Sequence, residues 1–323
     1  MSGSRRRCLS RTGLVVLAVG VGGYVLADGS GTPVTLATKR AHGSSPATSS
    51  TPTTSAPARR LASRTVLAAA SGESSSPARP ADVFHAPAIA AYLDTRQSVD
   101  LTAAVYDADT GTTSLYRPGV VEEEASIMKL DILSTLLAQS QSPGQALTAD
   151  QMALCQPMIE ESDNDDAQDL WDALGGARAV AAYDERVGLG DTSPDAAGYW
   201  GLSTTTAADQ VLLLERIAYP NALLNAASQA YAMSLLTNVD PNQAWGVSAG
   251  VPAGVTVAVK NGWLPLDQGG WQVNSLGIVQ GDGRDYTIAV LTDEGTTEQQ
   301  GIDAIEGLSA LVWQELAPSA TAS

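Results

Sequence analysis

Lysine is nearly missing from this chain of 323 residues: it occurs only as Lys39, Lys129 and Lys260. Cysteine is rarer still. Cys8 lies in the basic N-terminal tip and Cys155 far beyond it, so with the tip removed Cys155 has no partner. This set can build neither a disulfide framework nor a zinc site. Cys155, in "QMALCQPMIE", reads as a small buried apolar side chain. The two histidines, His42 and His85, lie in or beside a low-complexity linker, which leaves the globular part without an imidazole base. Positive charge is also short. From Ala81 onward 33 acidic residues stand against eight basic ones, a balance of −25. That excludes nucleic acid as a partner, which would require a basic patch. No P-loop or dinucleotide fingerprint is present. No cofactor and no metal is expected, and the chain is expected to act as a monomer.

What is present falls into four stretches. Residues 1–27 hold the arginine cluster of "SRRRCLS" and then an apolar run, Gly13 to Ala27, of 15 residues. That is short of the roughly 20 a membrane span needs. A basic tip, a short apolar centre and a small terminal residue describe a signal peptide, similar to the twin-arginine type. An uncleaved anchor is the alternative, and it would be the chain's only link to a membrane. Either implies a secreted or cell-surface protein. Residues 28–81, rich in Ser, Thr, Pro and Ala, cannot bury enough apolar surface to offset ordering and read as a disordered linker. A globular domain is expected over 82–317, with a tail at 318–323. At its start, 81–96 reads as helical, and two strands follow, joined at Asp109–Gly111. "SIMKLDILSTLLAQ" is a helix apolar almost all round, hence central. Further helices are expected at 149–159, 164–174, 176–187, 206–218 and 222–237. Strands follow over "GVTVAVKNGW", "WQVNSLGIVQ" and "RDYTIAVLTD", then a closing helix. Strands at both ends with helices between predict an α+β domain with one antiparallel sheet.

The two lysines of this domain mark the chemistry. Ser126 and Lys129 open the apolar helix three residues apart, so they share a face. A serine hydroxyl is a poor nucleophile until a base takes its proton. A lysine buried on an apolar helix beside another cation has reason to titrate low and be that base. Backbone N–H groups at the start of a helix can stabilise an oxyanion. Ser162, in Ser162-Asp163-Asn164 between two helices, offers a second hydroxyl to relay a proton. Asn164 offers an amide to hold a substrate peptide bond. Lys260, in Lys260-Asn261-Gly262 at the end of a strand, offers positive charge for a carboxylate. Were these lysines ordinary surface charge, this chain would carry arginine there.

Three such motifs in this order make the sequence resemble the penicillin-recognising serine hydrolases, above all the class A β-lactamases. The likeness spans nearly the whole domain, including "STTTAADQ" and "RDYTIAVLTDEGTTEQQGIDAIEGL". It implies a β-lactamase/transpeptidase-like fold: a five-stranded antiparallel sheet with flanking helices and a trimmed all-helical subdomain. It makes Ser126 the acylated nucleophile and Lys129 its base. Ser162 and Lys260 complete the catalytic cluster, and Asn164, Asn261, Gly262 and Trp263 bind substrate. The backbone N–H groups of Ser126 and Trp263 would form the oxyanion hole. The substrate would be a small β-lactam or a cell-wall peptide.

Four departures bear on that implication. Only 36 positions separate Ser126 from Ser162. Asn261 replaces the hydroxyl that usually meets the substrate carboxylate, although an amide still donates. Residues Asn274 and Ser275 stand where an arginine is common. The loop "VGLGDTSPDAAGYWGLSTTT" lacks the family's deacylating glutamate; Asp191 and Asp195 are the nearest carboxylates and read as turn formers. Without a base for water an acyl-enzyme would persist. This leaves two further readings: a penicillin-binding protein or D-Ala-D-Ala peptidase, and a non-catalytic cell-envelope binding module. Trp171 reads as core, whereas Trp263 and Trp271 flank the proposed site. Glu160, Glu161, Asp163, Asp165 and Asp166 read as a solvated acidic face.

Overall fold

The structure, a computed structural model, describes residues 82–95, 99–266 and 270–316. The expected signal segment, linker and tail lie outside the described residues, as do Cys8, Lys39 and His42. Chain order is α1 (Pro87–Asp94), β1 (Asp100–Asp107), β2 (Thr112–Tyr116), β3 (Glu122–Glu123), α2 (Met128–Ser140), α3 (Ala149–Glu160), α4 (Asn164–Leu174) and α5 (Gly176–Val187). It continues with β4 (Thr204–Thr205), α6 (Ala207–Ala218), α7 (Ala226–Leu236), β5 (Thr256–Pro265), β6 (Trp271–Gly281), β7 (Arg284–Gly295) and α8 (Glu298–Glu315). The five long strands form one antiparallel sheet in the order β2-β1-β7-β6-β5.

The sheet is buried on both faces, and strand alternation assigns each residue to one side. Ala103, Val105, Val273, Val279, Ile288 and Val290 join Ile89 of α1 and Leu308 of α8 in one core. Ala104, Leu276, Ile278, Ala289 and Leu291 join the helical block in the other. In that block α2 is the axis, with every residue from Met128 to Ala138 buried. Each Leu or Ile there stabilises the fold by roughly 1.5–3 kcal/mol. The fold is the β-lactamase/transpeptidase-like one that the motifs imply.

Local chemistry sets the boundaries. Thr206 Oγ1 accepts from Asp209 N at 3.2 Å and starts α6. Thr148 and Gln151 cap α3 reciprocally. Asp163 caps α4 by accepting from Asp166 N at 2.9 Å. In α4, Ala167, Leu170, Trp171 and Leu174 are buried on one stripe, so Trp171 is core as expected.

Several expected boundaries shift: the first helical segment divides into a 3-10 turn, Val83–His85, and α1, and α2 begins at Met128 rather than Ser126. α7 starts at Ala226 rather than 222, because Asn221 Oδ1 accepts from Leu223 N and Leu224 N in a turn and Asn225 supplies the cap. β5 runs two residues past its expected end at Trp263. The pairing of β5 with β6 runs on through Gly262↔Asn274 to Pro265↔Trp271, which leaves Lys260 in mid-strand. The short β3–β4 pair, which joins Glu122 to Thr205, has no signal in the sequence.

Beneath the start of α2 lies a set of buried acids: Glu124, Asp131 and Asp184, with Asp209 close by. Among the described residues no ion pair engages them. Burial, then the neighbouring acids, pushes Glu124 up to about 8 and Asp184 up to about 9, and holds Asp131 well above the usual carboxylate range. Glu124 and Asp131 act on each other's titration, and their carboxyl oxygens are buried with no hydrogen-bond partner among the described residues.

The folded chain therefore keeps protons that the unfolded chain releases above pH ~4. Each such acid should lower stability by about 1.4 kcal/mol per pH unit between its unfolded and folded values. Melting temperature should fall between pH 5 and pH 7, and Asp131→Asn should flatten the fall. A midpoint that stays level or rises over that range would contradict this assignment.

Candidate active site

The site is assembled at the meeting of four elements. Ser126 lies in a 3-10 turn, Ala125–Ile127, that runs directly into α2. Ser126 therefore stands one turn ahead of the α-helix proper, and it is only partly buried. Ala125, just before it, adopts a left-handed φ of 51°, a conformation that costs a non-glycine residue about 1–2 kcal/mol. Ser162 does the same, with φ 61°, in the turn between α3 and α4. Both strained residues border the reacting groups, a place where strain is commonly held by surrounding structure.

Lys129 is fully buried. Its Nζ lies 2.9 Å from Ser126 Oγ, 2.6 Å from Ser162 O, 3.1 Å from Ser162 Oγ and 2.7 Å from Asn164 Oδ1. Two of these four oxygens, Ser162 O and Asn164 Oδ1, are carbonyls that can only accept. They take two hydrogens of the amine in either protonation state. What remains is one position on nitrogen, facing two hydroxyls. As an ammonium it holds a third hydrogen there, and as an amine it offers a lone pair. Burial lowers the amine to about 7, against the opposing pull of Asp163. At neutral pH both forms are populated, which suits a group that takes and returns a proton.

Lys260 extends the chain of contacts. Its Nζ donates to Ser162 Oγ at 3.0 Å and to Asn261 O at 2.8 Å. Burial, then the charge on Lys129, holds it well below the ordinary lysine range. This fits a proton carrier better than the fixed positive charge expected from the sequence. Ser126, Lys129, Ser162, Asn164 and Lys260 thus come together. They form a continuous path Ser126 Oγ, Lys129 Nζ, Ser162 Oγ, Lys260 Nζ.

Gly262 explains how β5 comes so close. A Cβ there would lie 2.7 Å from Ser126 N, 2.7 Å from Ile127 N and 2.9 Å from Glu124 O. Only glycine lets the strand rest on the backbone of the Ser126 turn, and this places Trp263 next to that turn. Asn274, one strand inward, reinforces the contact by donating to Glu123 O at 2.8 Å and Glu124 O at 3.1 Å.

Asn261 is placed differently from its expected role. Its amide donates to Gln243 O at 2.8 Å and Trp245 O at 3.1 Å, and its Oδ1 accepts from Ser275 Oγ at 2.6 Å. Both amide hydrogens are engaged inside the fold, so the side chain pins the 241–247 loop to β5 and has no donor left for a substrate carboxylate. Ser275 Oγ in turn accepts from Val247 N at 3.0 Å. Trp263 packs edge-on against Trp245, with ring centroids 5.8 Å apart, and both it and Trp271 lean on the outer core.

The loop between α5 and α6 holds no carboxylate aimed at Ser126. Asp195 Oδ1 accepts from Ala197 N within its own turn, as a turn former would. Asp191 is exposed, and its N–H donates to Asp209 Oδ2 at 2.8 Å. Asp209 also accepts from Thr192 Oγ1, so it ties the neck of the loop. Trp200, which sequence reasoning missed, lies in this loop with its ring centroid 5.0 Å from Lys129 Nζ. No periodicity or motif marked it.

A model described as "Beta-lactamase enzyme family" matches residues 99–316. LppW of Mycobacterium tuberculosis, a lipoprotein by name, is 26% identical over 195 residues, which are 59% of this chain. The chain spans about three fifths (62%) of the length of that curated relative. A class A beta-lactamase from Bacteroides cellulosilyticus superposes with a TM-score of 0.61 at 20% identity, covering 70% of this chain and 94% of that one. A PBP-A variant, solved as its acyl-enzyme complex with penicillin G, gives 0.60 at 21% identity, covering 69% and 92%.

Asn261→Ala should leave the Ser275 hydroxyl hydrogen and two loop carbonyls without partners and cost about 1–3 kcal/mol. Denaturant unfolding reads this directly. A substitution that leaves stability intact but weakens ligand binding would restore the amide to a substrate-contact role.

Proposed function

The chain belongs to the beta-lactamase enzyme family, and from that membership we propose that it is an exported serine hydrolase working through an acyl-enzyme at Ser126. The observation that carries the reading is the buried Lys129 amine 2.9 Å from Ser126 Oγ, with its other hydrogens committed to carbonyls. Ser126 Oγ bonds to the amide carbon of a β-lactam or cell-wall peptide as its proton passes to Lys129 Nζ. The carbon–nitrogen bond then breaks. The leaving nitrogen takes a proton from Ser162 Oγ, which is resupplied by Lys129 or Lys260. The N–H groups of Ser126 and Trp263 hold the developing oxyanion. Asn164 orients the substrate amide. Export is supported by the basic tip and apolar run at the N-terminus and by the lipoprotein name of the mycobacterial relative.

One observation favours the penicillin-binding form of this reading over fast β-lactam hydrolysis. Asp195 Oδ1 is engaged by the backbone of its own turn and Asp191 is exposed, so neither carboxylate of the α5–α6 loop is read as the usual proton acceptor for the hydrolytic water. The ester then outlives the acylation step.

Incubation with penicillin G should add the mass of one penicillin to Ser126, located by peptide mapping, and nitrocefin should give a single stoichiometric burst. Lys129→Arg should abolish both, because a guanidinium retains its proton at neutral pH. Adduct formation undiminished in Lys129→Arg would overturn the lysine-base assignment, and sustained rapid nitrocefin turnover would favour the β-lactamase form.

A further inference from the structure

Lys129 is fully buried and its Nζ is closely surrounded. Four oxygens lie within 3.1 Å of it, from Ser126, Ser162 and Asn164. The indole of Trp200 also faces the amine, its centroid 5.0 Å away. Trp200 is itself held in place. Its 3-10 turn, Trp200–Leu202, packs beside the Ser126 turn, and the ring leans on the core that contains Ile127. The loop bearing it is fastened at its neck by the Ser193↔Thr204 bridge, by the 2.7 Å contact between Thr192 Oγ1 and Thr205 Oγ1, and by Asp209. The ring is therefore a fixed part of the site.

We infer that Trp200 sets the lifetime of the Ser126 ester by excluding water from Lys129. This rests on the acyl-enzyme reading above and adds what limits its second half. Deacylation needs a water oxygen to bond to the ester carbon while a base takes the water's proton. The carbon–Oγ bond then breaks, and Ser126 Oγ recovers a proton from that base. Lys129 is the base at hand, already next to Oγ. It serves Oγ during acylation, and the indole fills space beside the amine that a hydrolytic water would need in order to stand near both the nitrogen and the ester carbon. Trp200 is thus a positioning residue that separates the two half-reactions: the hydroxyl has access to the amine, and solvent does not. An aromatic ring suits the place, since its face attracts the ammonium form while offering water no hydrogen-bond acceptor of comparable strength.

Full-length chain is acylated with penicillin G, excess antibiotic is removed, and intact mass is followed with time. The wild type should keep its adduct for hours. Trp200→Ala should still reach one adduct per chain and lose it at least about tenfold faster, since each tenfold corresponds to only ~1.4 kcal/mol of barrier. Trp200→Phe should retain the long lifetime. If the alanine variant does not fold, Trp200→Leu, which keeps an apolar contact with the core but covers less of the amine, decides in the same way. Equal adduct lifetimes in wild type and the alanine or leucine variant would overturn the role of Trp200 while leaving the Ser126 reading intact. Absence of any adduct in the wild type would instead overturn that reading, and this inference with it.

Discussion

The structure turns on one amine held in a dry place between two carbonyls. Removing an ammonium from water is unfavourable, and the cost is met here by losing the proton part of the time. The carbonyls of Ser162 and Asn164 fix two of the nitrogen's directions and leave the third for a hydroxyl. Arginine could fill the same volume and carry the same formal charge, but it could not surrender a proton near neutrality. On the acyl-enzyme reading, this is why a chain so poor in lysine keeps one at this position. Lys260, close enough to feel the first charge and just as buried, holds the far end of the same path.

Every other feature of the site serves to bring these groups together from distant parts of the chain. The all-apolar helix α2 buries the stem of Lys129. Gly262 lets β5 lie against the Ser126 turn, and Asn274 of β6 holds the backbone just ahead of that turn. The left-handed turn at Ser162 directs both its carbonyl and its hydroxyl at the same nitrogen. Asn261 and Ser275 hold the loop behind β5 in place. The buried acids Glu124, Asp131 and Asp184 lie beneath this assembly and stay protonated well into the neutral range, so the base of the site is uncharged although the chain is strongly acidic.

Much of this was legible in the sequence. Three short motifs in order named Ser126, Lys129, Ser162, Asn164 and Lys260, because each has a chemical reason to be the residue type it is. Caps and periodicity placed α3 to α6 almost to the residue, since those signals are local. Side-chain partners across the sheet are not local. Nothing in "VAVKNGW" says that the Asn261 amide turns to the 241–247 loop; that depends on where Gln243 and Trp245 fall. Trp200 is one of six tryptophans, and only the folded loop singles it out. Asp131 did carry a signal. An acid inside "KLDIL", on a helix apolar all round, has to be either buried and protonated or exposed through a break in the apolar surface. The choice became visible only in the fold, where Asp131 is fully buried beside Glu124.

The most direct test of the account is the titration of Lys129 itself. With three lysines in the chain, side-chain nitrogen resonances from ¹⁵N-lysine protein can be assigned by single substitution and followed against pH. The account predicts that Lys129 Nζ titrates near 7. A midpoint at the ordinary lysine value of 10.5 would mean that the amine stays charged where Ser126 needs a base, and the proposed chemistry would be contradicted.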